Sequence, residues 1–406
     1  MLAEERAKAL VRGPEEAEAR PAGPRSRAML AKRITDVVCL PASEITPQER
    51  QMAGDLLVEM LLESDADLRR RCARRVAALT GPPERVLRLL ARDEFEVARP
   101  ILENSEALSD ADLVEIAGGT TIDHRRVIAH REGLTELVVQ ALIEAQEPVV
   151  IRALLCNPAA RFYYRTLDHV IALSRNDPEL PRLILRRPEL RPSQALAMFW
   201  WSEAEERRPI LLRFGPERRL LQEAAGDVFG VAAAEGWSDA LSRKALQFID
   251  RRQRNRLAID KSPYDSLEDA VRAAELGLTR DLVAEISYLS GIKPVTGAQI
   301  FTDLGGEPLA VLCKATGLKR PALECLWRGL KREGGDLANP SPHFARVVET
   351  FDVLSNEKAQ TVLRYWNWSL SSALSPGLVA AIHAGAEPEE DKLGLGGRAA
   401  AMVFDF

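Results

Sequence analysis

The sequence predicts an all-helical chain: an α-solenoid of short helical hairpins followed by a distinct helical C-terminal region. Three observations carry this expectation. Strand signals are nearly absent, with no alternating β-branched run bounded by Asn-Gly or Asp-Gly turns. Apolar residues recur instead at helical spacing behind capping residues. Five segments also repeat one pattern at intervals of 26–30 residues.

Taken in order, residues 1–44 read as a mobile lead-in, with residues 13–28 rich in Pro, Gly, Glu and Arg. At Thr46-Pro-Gln-Glu49 a capping box with proline at the first helical position opens a helix. Its expected apolar stripe is Met52, Leu56, Leu57, Met60 and Leu61. Residues 45–192 then hold the repeats: LRRRCARR, VARPILEN, HRRVIAHR, VVIRALLCN and LPRLILRR, ending at Arg75, Asn104, Arg131, Asn157 and Arg187. An apolar helix precedes most of them, and an acidic or turn-like break lies between. Two short antiparallel helices per repeat make a HEAT-like unit, which buries its apolar face only by stacking on its neighbours. Leu68, Cys72, Val76 and Leu79 form one inward stripe, and the pairs Arg70/Arg74 and Arg71/Arg75 lie off it. Pro100, Pro148, Pro178 and Pro181 are expected in first helical turns.

Residues 193–332 form a second helical repeat region. It opens with the aromatic stretch ALAMFWWSEAEERRPILLRF (195–214) and continues with helices expected over 217–234, 238–256 and 266–276. Leu289-Ser-Gly-Ile-Lys293 is echoed 26 positions later by Ala315-Thr-Gly-Leu-Lys319. A linker follows over 333–342, then C-terminal helices over 343–384 and a glycine-rich flexible tail over 385–406.

Composition narrows the function classes. The chain has 406 residues with 55 Lys+Arg against 60 Asp+Glu, a net charge of −5, so its surface as a whole is not built to hold nucleic acid. Only 10 of the basic residues are lysine, which leaves 45 arginines. No apolar run of about 18 residues marks a membrane span, and no apolar signal core is present. Five dispersed cysteines without C-x-x-C pairing point to a reducing cytoplasm.

No constellation for catalysis, a cofactor or a metal is visible. His124 and His130 stand six apart, roughly 120° from one another on a helix, and no metal-ligand spacing joins them to His169, His343 or His383. Gly118-Gly119 and Gly305-Gly306 lack the phosphate-loop pattern. Acidic pairs such as Asp65/Asp67 fall in helix breaks, where they cap. Between Leu309 and Leu326 a helix–turn–helix spacing with Gly317 at the turn gives a nucleic-acid hint, although any tight hairpin buries residues in this way.

The candidate binding residues are therefore arginines and aromatics. Arg70 belongs to the ridge, and Arg74, Arg99, Arg125 and Arg126 are expected to align as a basic stripe on stacked repeats; the plain alternative is a solvated helix face. Trp200 and Trp201 are adjacent, so both cannot face one core, and Trp366 and Trp368 form a second cluster. Either cluster suits a partner or self-association site, or a junction core between the repeats and the C-terminal helices. Phe404 and Phe406 end a stretch that reads as a docking peptide.

Several blocks in order, DEFEVARPILENSEALSDADLVEIA, HRRVIAHREGL, VVIRALLCNPAARF, MFWWSEAEERRPILLRF and GGEPLAVLCKATGL, resemble a bacterial family known as domain of unknown function 2336. The resemblance covers roughly residues 50–330. It implies an all-helical cytoplasmic protein with HEAT-like repeats and no assigned catalysis. The expected function is a non-catalytic scaffold or regulatory adaptor that binds a protein partner through a solenoid face, with homo-oligomerisation as a further option. The rival is a nucleic-acid-binding repeat protein using the arginine stripe.

Overall fold

The computed structural model describes residues 24–250 and 254–374. Among them there are helices, short 3-10 turns and loops, and no strand. No described helix is long and apolar enough to cross a membrane. The chain divides into two compact units, Met1–Val170 and Ile171–Phe406.

The first unit holds α1 (Pro24–Val38), α2 (Pro47–Leu62), α3 (Ala66–Val76), α4 (Glu84–Ala91), α5 (Phe95–Asn104), α6 (Asp110–Gly119), α7 (Ile122–Ala129), α8 (Glu136–Glu144), α9 (Pro148–Cys156) and the start of α10 (Tyr164–Leu173). Several helix starts have a local cause. Thr46 caps α2 in a complete capping box with Glu49, Asp65 accepts from the Leu68 amide at 2.7 Å, and Ser109 and Asp112 form a second box. Pro148 occupies the first turn of α9 as expected. Pro100 does not: it lies inside α5, where it removes a mid-helix donor.

Several consecutive helices pack together, and alternate helices pack on one another. Thus α2 packs on α4 and α6 on α8, while α3, α5, α7 and α9 are successive neighbours. The shared core includes Leu57, Leu61, Val76, Leu90, Ile101, Ile116, Ile128 and Leu142, all fully buried. A Cβ on Gly54 would stand 2.3 Å from Pro83 Cβ, so this glycine sets how closely α2 approaches the start of α4.

Two expectations change here. Helix α1 lies within the stretch assigned to a mobile lead-in; it is ordered because Ala31, Thr35 and Val38 are buried against the next helices. The expected α2 stripe splits in two: Leu57 and Leu61 are buried, whereas Met52 and Leu56 are 70% and 61% exposed on the opposite face. Residues 1–23 of the lead-in lie outside the described residues, as do residues 375–406 with the expected tail.

The second unit continues with α11 (Glu179–Ile184), α12 (Pro192–Met198), α13 (Ala204–Phe214), α14 (Arg218–Ala224), α15 (Val228–Ala234), α16 (Ala240–Asp250), α17 (Leu267–Ala273), α18 (Arg280–Leu289), α19 (Pro294–Thr302), α20 (Glu307–Thr316), α21 (Arg320–Gly329), α22 (Pro342–Val353) and α23 (Asn356–Leu374). The single helix expected over 217–234 is two helices, α14 and α15, broken around Gly226. Helix α20 is apolar nearly all round and is surrounded by α19, α21, α22 and α23. That enclosure explains the helix–turn–helix spacing. Gly317 ends α20 in the left-handed region (φ 73°), and Leu318, Leu323 and Leu326 are core residues.

Candidate interaction faces and a buried charged centre

In the first unit the arginines divide by role. One set fastens each repeat to the next. Arg69 donates to Asp93 (2.6 and 3.0 Å), Arg88 to Asp112 (2.5 Å) and Arg125 to Glu147 (2.7 Å through Nε), across 24, 24 and 22 positions. Burial alone pushes the Asp112 carboxyl up, but hydrogen bonds from Ser109 and Arg88 outweigh it and hold the group below its ordinary 3.8. Two of the five residues that end the repeated segments also hook backwards. Arg131 donates to the carbonyls of Leu102 and Ser105, and Asn157 to those of Ala129 and Arg131 at 2.9 and 2.8 Å. These bonds satisfy carbonyls at the ends of preceding helices.

The expected stripe is accordingly uneven. Arg125 is turned inward, and its Nη1 also donates to the carbonyls of Ala117 and Thr120. Arg70 pairs with Asp67 and Arg99 with Glu103 on their own helices, and Arg126 lies 3.8 Å from Asp123. Arg74 and its neighbour Arg71 are exposed, with no acidic partner among the described residues. Unneutralised charge on the α3, α5, α7 row is thus concentrated on α3.

A cleft of about 520 Å³ lies between α8 and the start of α10, lined by Gln140, Ile143, Glu144, Tyr163, Tyr164 and His169 among others. Its lining combines two tyrosine rings with the Glu144 carboxylate.

In the second unit the aromatic residues form a core. Trp366 is fully buried, with its ring 4.9 Å from Phe199 and 4.7 Å from Trp200, and donates to the Leu196 carbonyl at 3.3 Å. Trp201 is half-buried and donates to Ser174 Oγ at 2.8 Å. Trp368 lies on α23, but its side chain falls outside the description, and Phe404 and Phe406 are outside the described residues altogether.

Beside this core is a charged centre that the sequence reading did not single out. Arg207 of α13 reaches Asp303 at 2.8 Å and Glu307 at 3.0 Å, and its Nε donates to the Ser202 carbonyl. Its guanidinium lies 5.1 Å over the Phe199 ring. Burial pushes Arg207 down, but the two carboxylates outweigh it and hold the guanidinium above its ordinary value. Asp303 also accepts from the Gly306 amide at 2.8 Å, Arg332 donates to the Asp303 carbonyl at 2.6 Å, and His343 bonds the Gly305 carbonyl. A Cβ on Gly306 (φ 81°) would stand 2.5 Å from Trp327. The Gly-Gly pair is therefore a structural turn around this centre. A charged residue at the head of an otherwise apolar helix, EPLAVLCKAT, was the available signal.

The family model of an uncharacterised protein conserved in bacteria (DUF2336) matches residues 97–364, more than half of the chain. The chain belongs to this family. Relative to the expected span of 50–330, the DUF2336 match begins later and runs into α23. Within this DUF2336 region Arg207 joins two of the five blocks that carry the resemblance, MFWWSEAEERRPILLRF and GGEPLAVLCKATGL. Helices α1 to α4 precede the matched residues. Neither curated proteins nor solved structures yield a match to the chain.

Proposed function

We propose that this DUF2336 protein is a non-catalytic scaffold or regulatory adaptor whose first unit is a HEAT-like α-solenoid that binds a protein partner. The observation that carries this reading is that an arginine–carboxylate pair ties each helix pair to the next, Arg69–Asp93 and Arg125–Glu147 through the second helices and Arg88–Asp112 through the first. A stack held by joints of this kind leaves a long row of outer side chains free of structural duty, the general design of repeat-protein binding surfaces. Along α5 and α7 that row carries Glu96, Arg99, Glu103, Asp123, Arg126 and His130, a mixed-charge face suited to a protein partner of complementary pattern. The tyrosine-lined cleft at the end of the row suits an anchoring side chain.

The test is capture from a lysate of the source bacterium by wild type and by an Arg99→Glu/Arg126→Glu variant with an unchanged circular dichroism spectrum. The reading expects at least one protein retained by wild type, after nuclease treatment, to be lost by the variant. Identical sets of captured proteins would overturn it. Capture that disappears with nuclease and falls steeply with salt would favour the nucleic-acid alternative.

A further inference from the structure

Helices α1 and α2 are the first described pair, and each leaves one side uncovered. Thr35 Oγ1 lies 3.6 Å from Cys72 Sγ, and Arg75 donates to Asp36 at 2.5 Å, so this side of α1 meets α3. A Cβ on Gly54 would meet Pro83 and Val86, so that side of α2 meets α4. The sides turned away carry two stripes. On α1, Leu30, Arg33 and Val37 follow one another at intervals of three and four residues. On α2, Met52, Leu56 and Glu59 do so at four and three. All six are exposed, Leu30 at 51% and Val37 at 43%.

One ion pair fixes the two stripes relative to each other. Arg27, three residues before Leu30, pairs with Glu63, seven residues after Leu56. Arg27 extends the α1 stripe and Glu63 the α2 stripe, so both border the same face. Half-buried Ile34 and Met60, four residues after Leu30 and Leu56, add apolar surface where the helices meet. The same ion pair sets the heights. Arg33 lies six residues on from Arg27 and Glu59 four back from Glu63, a difference of about 3 Å along antiparallel helices. The face thus has an apolar middle, a cation on its α1 edge and a carboxylate on its α2 edge. Arg33 also lies near Asp36 of its own helix, which Arg75 bridges. The end of a helix stack ordinarily carries polar side chains, and an apolar patch left open there marks a contact surface.

We propose that this face is the contact between two copies of the chain. A two-fold axis running along the helices, between α1 and α2, lays α1 of each copy over α2 of the other. That operation sets Leu30 and Val37 against Met52 and Leu56 of the second copy and brings Arg33 to its Glu59, each contact occurring twice. The placement of charge selects a second copy as the occupant. Both members of the charged pair stand on opposite edges of one face, so the face is complementary to itself, whereas a partner of one sign is repelled at one edge. A second α1–α2 pair on the open side also repeats a packing the chain already uses, since α1 packs on α3 and α3 on α5. Eight apolar side chains with a charged pair at each edge make an interface on the order of 1,000 Å², the size of a reversible dimer. The dimer requires no other protein, so it stands or falls independently of the scaffold reading.

The experiment is sedimentation velocity on the full-length chain at concentrations up to about 100 μM, where an interface of this size associates. Wild type should pass from monomer to dimer across that range. Met52→Glu/Leu56→Glu, two exposed substitutions, should keep the circular dichroism spectrum and abolish the dimer. Arg33→Glu should weaken the dimer about tenfold, through two lost pairs and two new repulsions. Arg33→Glu/Glu59→Arg, which exchanges the charges, should restore it. A wild type that stays monomeric would overturn the proposal and leave the face to another protein or another segment of the chain. A dimer that persists in Met52→Glu/Leu56→Glu, or an Arg33→Glu/Glu59→Arg dimer no tighter than that of Arg33→Glu, would overturn it as well.

Discussion

Arg207 and Glu307, 100 positions apart in the chain, meet at 3.0 Å with both side chains almost wholly removed from water. Asp303 completes the contact, so one guanidinium neutralises two carboxylates. Replacing Arg207 alone leaves two buried carboxylates without their ion-pair partner, with only the Arg332 guanidinium nearby. Arg207→Met is therefore expected to destabilise the second unit by about 3–5 kcal/mol. Arg207→Met/Glu307→Gln should recover part of that loss, because the amide carries no charge. All six tryptophans lie in this unit, so the urea midpoint of tryptophan emission reads the effect directly.

Asp112 gives the first unit a pH dependence of defined sign. Its folded-state pKa lies below the ordinary 3.8, so its contribution is fully present above that value and is lost as pH falls through the folded pKa. Asp112→Asn should cost about 2 kcal/mol at neutral pH, the scale of hydrogen bonds to a charged group. The gap between wild type and variant should close as pH falls below 3.8. Urea unfolding followed by far-ultraviolet circular dichroism at neutral and acidic pH checks both parts.

Two glycines with similar backbone angles should respond differently to alanine. Gly317 (φ 73°) has no atom within 4 Å of an added Cβ, so Gly317→Ala meets only left-handed strain, about 1–2 kcal/mol. Gly306 (φ 81°) faces Trp327 at 2.5 Å, which adds overpacking of about 1–3 kcal/mol. Thermal melts of both variants should rank Gly306→Ala well below Gly317→Ala.

The cysteines should separate by reactivity. Burial pushes the Cys72 thiol up to about 11 and the Cys313 thiol up to about 12, which suppresses the thiolate in both. Cys156 is exposed at the end of α9. Maleimide labelling of native protein, mapped by mass spectrometry, should modify Cys156 rapidly and reach Cys72 and Cys313 only after denaturation.

The helical class was legible because its signals are local: caps at Thr46, Asp65 and Ser109, and apolar residues recurring at 3–4-residue intervals. The repeat was legible through Arg131 and Asn157, whose hooks onto preceding carbonyls give their recurrence a structural reason. What escaped depends on distant neighbours. The spacing of Met52 and Leu56 matches that of core residues, and only the position of adjacent helices turns them to solvent. Arg125 and Arg126 are adjacent and chemically identical, yet one faces Glu147 and the other the exterior. Arg207 could not be assigned from the sequence, because its partners lie about a hundred residues downstream.

The backward hooks have a consequence for how this part of the chain changes in length. Because Arg131 and Asn157 bind backbone carbonyls of the pair before their own, a pair of the same length can stand in that place without a matching side chain. An insertion of a fraction of a pair would present the wrong side chain to those carbonyls. Length in this unit is thus quantised, and the same rule makes its outermost pair the natural starting point of unravelling.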